Sequence, residues 1–175
     1  LVTSHPRMSR LSRLLLRNVR ATLWVDDGPV REEFGELGFS ERGIEGAVAL
    51  RMSRDAVDAL IDGRRVKLVV DLKPALTEQV LRDRIARELA EMQPTEFFSE
   101  LLRKLLPAPL VLPLAAEIDI PSKQYVSKLT ETEITRLIRT LKGLTLPVTD
   151  YAPFEYAVTT AGGVRCSEVN PRTME

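Results

Sequence analysis

Apolar and polar positions alternate from Val19 to Asp26, with Val19, Ala21, Leu23 and Val25 set against Arg20, Thr22, Trp24 and Asp26. That period of two predicts a half-buried strand. Asp26-Asp27-Gly28-Pro29 then turns the chain, and Val30 to Leu37 is expected as the returning strand of a hairpin. Val66 to Leu72 reads as another strand, closed by Pro74. Between them Ser53 is the expected N-cap of a short helix over Arg54 to Ile61, ended by Asp62-Gly63.

After Pro74 the period changes. Thr77 caps a predicted helix running through Met92, with Val80, Leu81, Ile85, Leu89 and Met92 on one face. Thr95 is expected to start another, with Phe97, Phe98, Leu101, Leu102 and Leu105 apolar. Pro107, Pro109, Pro113 and Pro121 should break the following stretch into short pieces. Thr130 and Glu133 form a capping-box pair ahead of Ile134, Leu137, Ile138 and Leu141, and Gly143 follows as the C-terminal glycine. Strand-like patterns return at Thr145 to Thr149 and Phe154 to Thr160. The expected class is therefore α+β: a small β-barrel or sandwich, residues 1–74 and 144–175, interrupted by an all-helical subdomain over residues 75–143.

Composition narrows the function classes. In 175 residues, 44% are hydrophobic and 29% charged, as in an ordinary globular domain. The 25 Lys plus Arg balance 25 Asp plus Glu, which argues against a dedicated nucleic-acid binder. No apolar run approaches the roughly 20 residues of a membrane span. One cysteine, Cys166, and one histidine, His5, exclude an intrachain disulfide, a thiolate metal cluster and a second histidine ligand. These features point to the cytoplasm. Glu32, Glu33 and Glu36 read as a solvated face rather than a metal site. Leu1 is not an initiator methionine and Glu175 follows no helix cap, so a piece of a longer chain is expected.

Three features remain as candidates for function. Arg7, Arg10, Arg13, Arg17 and Arg20 recur every three or four residues: a phosphate-contacting arm, or a solvated lead-in to a strand, which the neutral total charge favours. Phe39-Ser40-Glu41-Arg42-Gly43-Ile44-Glu45-Gly46 is a glycine-punctuated loop open to close backbone approach. Thr159-Thr160-Ala161-Gly162-Gly163-Val164 runs into two glycines; by spacing alone this is a bulge or hairpin turn. Neither a Gly-x-Gly-x-x-Gly turn nor a Gly-Lys-Ser/Thr phosphate loop occurs.

The context of the last segment adds a resemblance. Ala157 to Val164, followed by Glu168-Val169-Asn170-Pro171 and Thr173-Met174-Glu175, resembles a signature of the BaiN-like, or aminoacetone-oxidase-like, family of bacterial FAD-dependent flavoproteins. Leu16-Arg17-Asn18-Val19, Gly35-Glu36-Leu37-Gly38-Phe39 and Asp71-Leu72-x-Pro74 are similar to further family segments, so the resemblance brackets roughly Leu15 to Glu175. It implies the inserted, substrate-covering domain of an oxidoreductase moving electrons between NAD(P)H, flavin and a small organic substrate. FAD would be held mainly by the FAD-binding domain of the same parent chain, and this piece alone would be inactive. Gly162, Gly163 and Val164 would contact the flavin, while Phe39, Ser40, Glu41, Gly43, Ile44 and Gly46 would line the substrate side. The family pattern Thr-His followed by Gly-Ile-Ser-Gly-Pro is altered here, with Glu41 at the histidine, Glu45 at the serine and Ala47 at the proline. Either the loop faces the flavin and this changes proton transfer or substrate choice, or the loop only packs. No catalytic acid or base and no metal ligand is assigned. The competing reading is a non-enzymatic interaction module that uses the arginine arm on nucleic acid or a partner protein.

Overall fold

The computed structural model describes residues 1–5, 11–41, 43–158, 166–170 and 172–173. Six strands form one antiparallel sheet in the order β1-β6-β5-β2-β3-β4. They are β1 Val2–Thr3, β2 Leu15–Val25, β3 Gly28–Ser40, β4 Gly43–Glu45, β5 Val66–Asp71 and β6 Leu144–Asp150. The two edges of this sheet meet. Leu1 N–H donates to Ile44 O at 3.1 Å and Ile44 N–H donates to Leu1 O at 2.8 Å, the reciprocal bonding of an antiparallel pair. Of the two expected β architectures, the chain adopts the barrel, which removes exposed sheet edges.

Alternation in β2 is as predicted but starts earlier, at Leu15, because a register shift between Leu16 and Val19 inserts a bulge. Asn18 sits there at φ 55, a left-handed conformation that asparagine tolerates. At the hairpin turn Asp26 has φ 53 and accepts hydrogen bonds from Arg64 Nε and the Arg65 N–H. The arginine bonds hold its carboxyl below the usual carboxylate range.

Helix α1, Ala47–Ile61, touches strands β2 to β6, and the curved sheet wraps its buried stripe of Val48, Met52, Ala56 and Ala59. This corrects the expected start. Ser53 lies inside the helix, its hydroxyl bonded back to Leu50 O, and Gly46 at φ +92 is the N-cap without any side-chain cap bond.

Helices α2 Glu78–Glu91, α3 Phe98–Leu105, α4 Ala108–Glu117 and α5 Glu131–Lys142 lie between β5 and β6. Thr77 caps α2 and the Thr130–Glu133 capping box opens α5, both as predicted. Thr95 does not cap α3. The first N–H groups of α3 are met by main-chain carbonyls instead, Phe98 N–H to Gln124 O and Ser99 N–H to Ser122 O, with the Phe97 and Tyr125 rings stacked at 5.5 Å. The proline-rich stretch is also corrected: Ala108–Glu117 is one helix. Pro109 occupies the first turn, where no donor is required, and Pro113 forfeits one bond while Leu110, Val111, Leu114 and Ala115 are buried. Of the expected Phe154–Thr160 strand, Phe154–Tyr156 is a 3-10 turn, with Tyr156 N–H folding back to Pro153 O, while Thr159 and Thr160 lie outside the described residues.

The one histidine is structural. His5 is 8% exposed, and its Nε2 lies 3.2 Å from Glu117 Oε2, joining the segment after β1 to the end of α4.

Candidate functional site

The barrel rim where β3, β4 and the start of α1 meet carries two adjoining depressions. One, of about 360 Å³, is lined by Ser12, Arg13, Phe39, Ser40, Glu41 and Glu45. The other, of about 440 Å³, is bordered by Leu15, Gly38, Ser40, Gly43, Ile44 and Glu45, with Ala49, Leu50 and Ser53 of α1, Leu1 and Val2, and Ala152, Tyr156 and Val158 beyond β6. Ser40 and Glu45 form the shared wall. Volumes in this range suit small organic ligands.

All six residues expected on the substrate side border these depressions, but they divide into two kinds. Phe39 and Ile44 are 1% and 2% exposed and belong to the barrel core. Gly43 and Gly46 serve backbone approach: a Cβ on Gly43 would stand 2.3 Å from Leu1 O, and one on Gly46 3.0 Å from Glu36 O. Gly43 also belongs to strand β4, where a loop was expected. Among the described residues of the segment, Ser40, Glu41 and Glu45 are those whose side chains reach solvent. Gly162, Gly163 and Val164 lie outside the described residues.

Electrostatics set the rim apart from the hairpin next to it. On β3, Glu33 accepts from Arg31 Nε and Arg51 Nε, and these bonds hold its carboxyl below the usual range. Arg20 faces Glu32 at 3.5 Å and Arg17 faces Glu36 at 3.7 Å. Arg17 and Arg20 of the arginine arm thus lie on β2 and meet the hairpin's own carboxylates, while Arg13 precedes the strand and Arg7 and Arg10 lie outside the described residues. Glu32 and Glu36 are solvated and ion-paired, whereas the Glu33 side chain is mostly covered by its two arginine partners, and no cluster of potential metal ligands occurs among the described residues. At the rim, by contrast, no ion pair or hydrogen bond among the described residues reaches the carboxylates of Glu41 and Glu45.

Sequence reasoning did not bring several of these residues to the rim, and it read Arg13 only as part of the arginine arm. Arg13 holds φ 73, fixed by its N–H to Phe39 O, and brings a guanidinium to the Glu41 cleft. Leu15 and Leu50 are 44% and 50% exposed. The available signal was phase: each is apolar and off the buried stripe of its own element. Helix α1 starts at the groove with no side-chain cap and no acidic residue in its first turn, so the positive end of its dipole is not offset by its own residues there.

No helix among the described residues is long and apolar enough to cross a membrane. A family model described as HI0933-like protein barrel and H2TH domain matches residues 1–159. The 3-dehydro-bile acid delta(4,6)-reductase of Clostridium scindens is 30% identical over 144 residues, which is 82% of this chain and 35% of the relative. The chain thus spans about a third of that relative's length.

Proposed function

Because this chain belongs to the HI0933-like family as its barrel and H2TH domain, we propose that it is the substrate-covering domain of an FAD-dependent oxidoreductase. Electrons pass in that protein from NAD(P)H through the flavin to a small organic substrate. The carrying observation is that the residues singled out for the substrate side border two adjoining depressions at the barrel rim that share Ser40 and Glu45, in a chain related to a reductase.

The residues present suit covering a flavin ring. Leu15 and Leu50, both largely exposed, border the groove as an apolar ledge, and the uncapped start of α1 supplies N–H groups for an electron-rich edge. No Gly-x-Gly-x-x-Gly turn offers the pyrophosphate a cradle, so the FAD-binding domain of the same parent chain is the partner that holds it. Bound flavin supplies hydride acceptance and donation. The chain's own share is exclusion of water, an apolar seat for the substrate and fixed dipoles at the ring edge. Gly162, Gly163 and Val164 are assigned to the flavin contact on the family signature alone. The proposed compartment is the cytoplasm, and the domain by itself is inactive.

The test compares visible absorption spectra of the full-length protein and of this chain alone. A yellow full-length protein that oxidises NADH or NADPH, beside a colourless chain, supports the reading. A full-length protein without flavin bands overturns it.

A further inference from the structure

Four large apolar side chains border the wider depression while remaining in water: Leu15 at 44% exposure, Leu50 at 50%, Tyr156 at 54% and Val158 at 72%. They come from β2, α1 and the segment after β6, so the fold assembles this face and it is not the stripe of one amphipathic element. An apolar surface gathered in this way and left open marks a contact site. Leu1 and Val2 border the same depression, and β1 pairs with β6 with Val2 opposite Asp150. The first strand of the barrel and the stretch that leaves its last strand therefore run side by side along this face. The reductase that this chain matches continues well beyond the matched stretch, which is 35% of its length. In an inserted domain, both connections to the rest of the chain then leave from one place. Two adjacent tethers hold that remainder beside the face at high effective concentration, so a modest apolar area is enough for a lasting contact.

We infer that the face formed by Leu15, Leu50, Tyr156 and Val158 is the seat on which the FAD-binding domain of the parent chain packs by apolar contact. This rests on reading the chain as an inserted domain, and it names the surface through which that partner is held. Protein rather than cofactor supplies most of the cover on these side chains, so the cover persists without flavin. Burial of the four side chains stabilises the closed arrangement, and the same contact shuts the depression against water. Val30 at 55% exposure and Ile61 at 66% are equally open to solvent, but they stand on β3 and at the far end of α1 and border neither depression. They stay in water in the parent protein.

The test reads thiol accessibility in the full-length protein carrying this chain. Leu50→Cys and Leu15→Cys place probes on the face; Ile61→Cys, on the same helix as Leu50, and Val30→Cys are the exposed controls. Each variant is reacted with a maleimide, and rates are read peptide by peptide by mass spectrometry, which separates native thiols such as Cys166. The face probes are expected to react at least about ten-fold more slowly than the controls, and to keep that protection after FAD is stripped and after strong dilution. Leu15→Cys carries the test alone should Leu50→Cys lower the melting temperature. Equal rates at face and control positions overturn the inference. Protection lost with the flavin makes the cofactor the cover, and protection lost on dilution makes it a second copy of the chain; either result overturns it as well. The absorption spectrum separates the two readings. A colourless protein with protected face probes sinks the oxidoreductase reading alone, and a yellow one with unprotected probes sinks the docking face alone.

Discussion

Lys142 Nζ lies 2.5 Å from Asp71 Oδ2, with the two side chains 17% and 15% exposed. This pair ties the last residue of α5 to the last residue of β5. The same ammonium donates to Lys73 O and Leu76 O, and Leu72 N–H donates to Leu141 O. A half-buried cation thereby organises the chain where it leaves the barrel for the helices and where it returns.

Lys142→Met keeps the stem and removes the charge; Asp71 retains the Lys73 N–H and the Lys73 carbonyl retains the Leu76 N–H, but both lose the ammonium, as does the Leu76 carbonyl. A cost of about 2 kcal/mol is expected, below the value for a fully buried pair because water reaches both groups. Thermal unfolding checks it. A shift no larger than that of a surface lysine change would show that the pair organises nothing.

At the barrel seam, Gly43→Ala should be among the most damaging small substitutions. Its φ of +142 disfavours any side chain, and the new Cβ would meet Leu1 O at 2.3 Å and Val2 Cα at 2.9 Å. Those contacts are main chain and cannot swing aside. The expected loss is about 2 kcal/mol or more, with faster hydrogen exchange at the Ile44 amide as the seam opens. Gly63→Ala is the contrast: its φ is +71, yet nothing lies within 4 Å of the added atom, so its cost should be smaller and leave Ile44 exchange unchanged.

Phe98 is fully buried at the start of α3, beside the buried Leu101, Leu102 and Leu105 of the same helix. Phe98→Ala should cost roughly 3–5 kcal/mol, the range for emptying an aromatic site that cannot collapse. Because α5 packs on both β5 and β6, exchange of barrel amides such as Leu68 is expected to accelerate in parallel. Protected barrel amides over a loosened helical block would instead show two independently unfolding units, with the boundary near residues 75 and 143.

The legible parts of the fold were those written in consecutive residues. The β2 alternation, the Val66 strand and the caps at Thr77 and Thr130 each lie within a few positions of the element they define, and all four are present. The misread parts depend on distant partners. α3 starts at Phe98 because residues 122–124 bring carbonyls to its first turn. α4 continues through Pro113 because its apolar face is buried among its neighbours. α1 starts at Ala47 because Gly46 can hold φ +92, which no side-chain cap announces. The site follows the same rule. The Phe39–Gly46 segment stood out by its glycines, though as a loop rather than as the end of β3 and strand β4, whereas Arg13, Leu50 and Tyr156 border the same depressions only through the folded barrel, and no spacing in the chain relates them.

Acid should weaken α5 through one identifiable group. Glu133 carries the return half of the capping box, its carboxylate accepting from the Thr130 N–H at 2.8 Å and the Thr130 hydroxyl at 2.9 Å, and Gln124 Nε2 donates to it at 3.1 Å. The Thr130 main-chain bond, foremost among these, holds its pKa below the ordinary glutamate value of 4.5. A carboxyl whose folded pKa is depressed stabilises the fold fully above its unfolded value and loses that contribution as pH falls through the folded one. The capping contribution should therefore be complete at neutral pH and fade below about pH 4.5. Glu133→Gln retains an acceptor but removes the titration. Compared by thermal unfolding at pH 7 and pH 3, the wild type should lose more stability than the variant, and their difference should narrow in acid. A gap between the two that stays constant across that range would assign the helix start to Thr130 alone, whose side chain accepts from the Glu133 N–H at 3.2 Å whatever the pH.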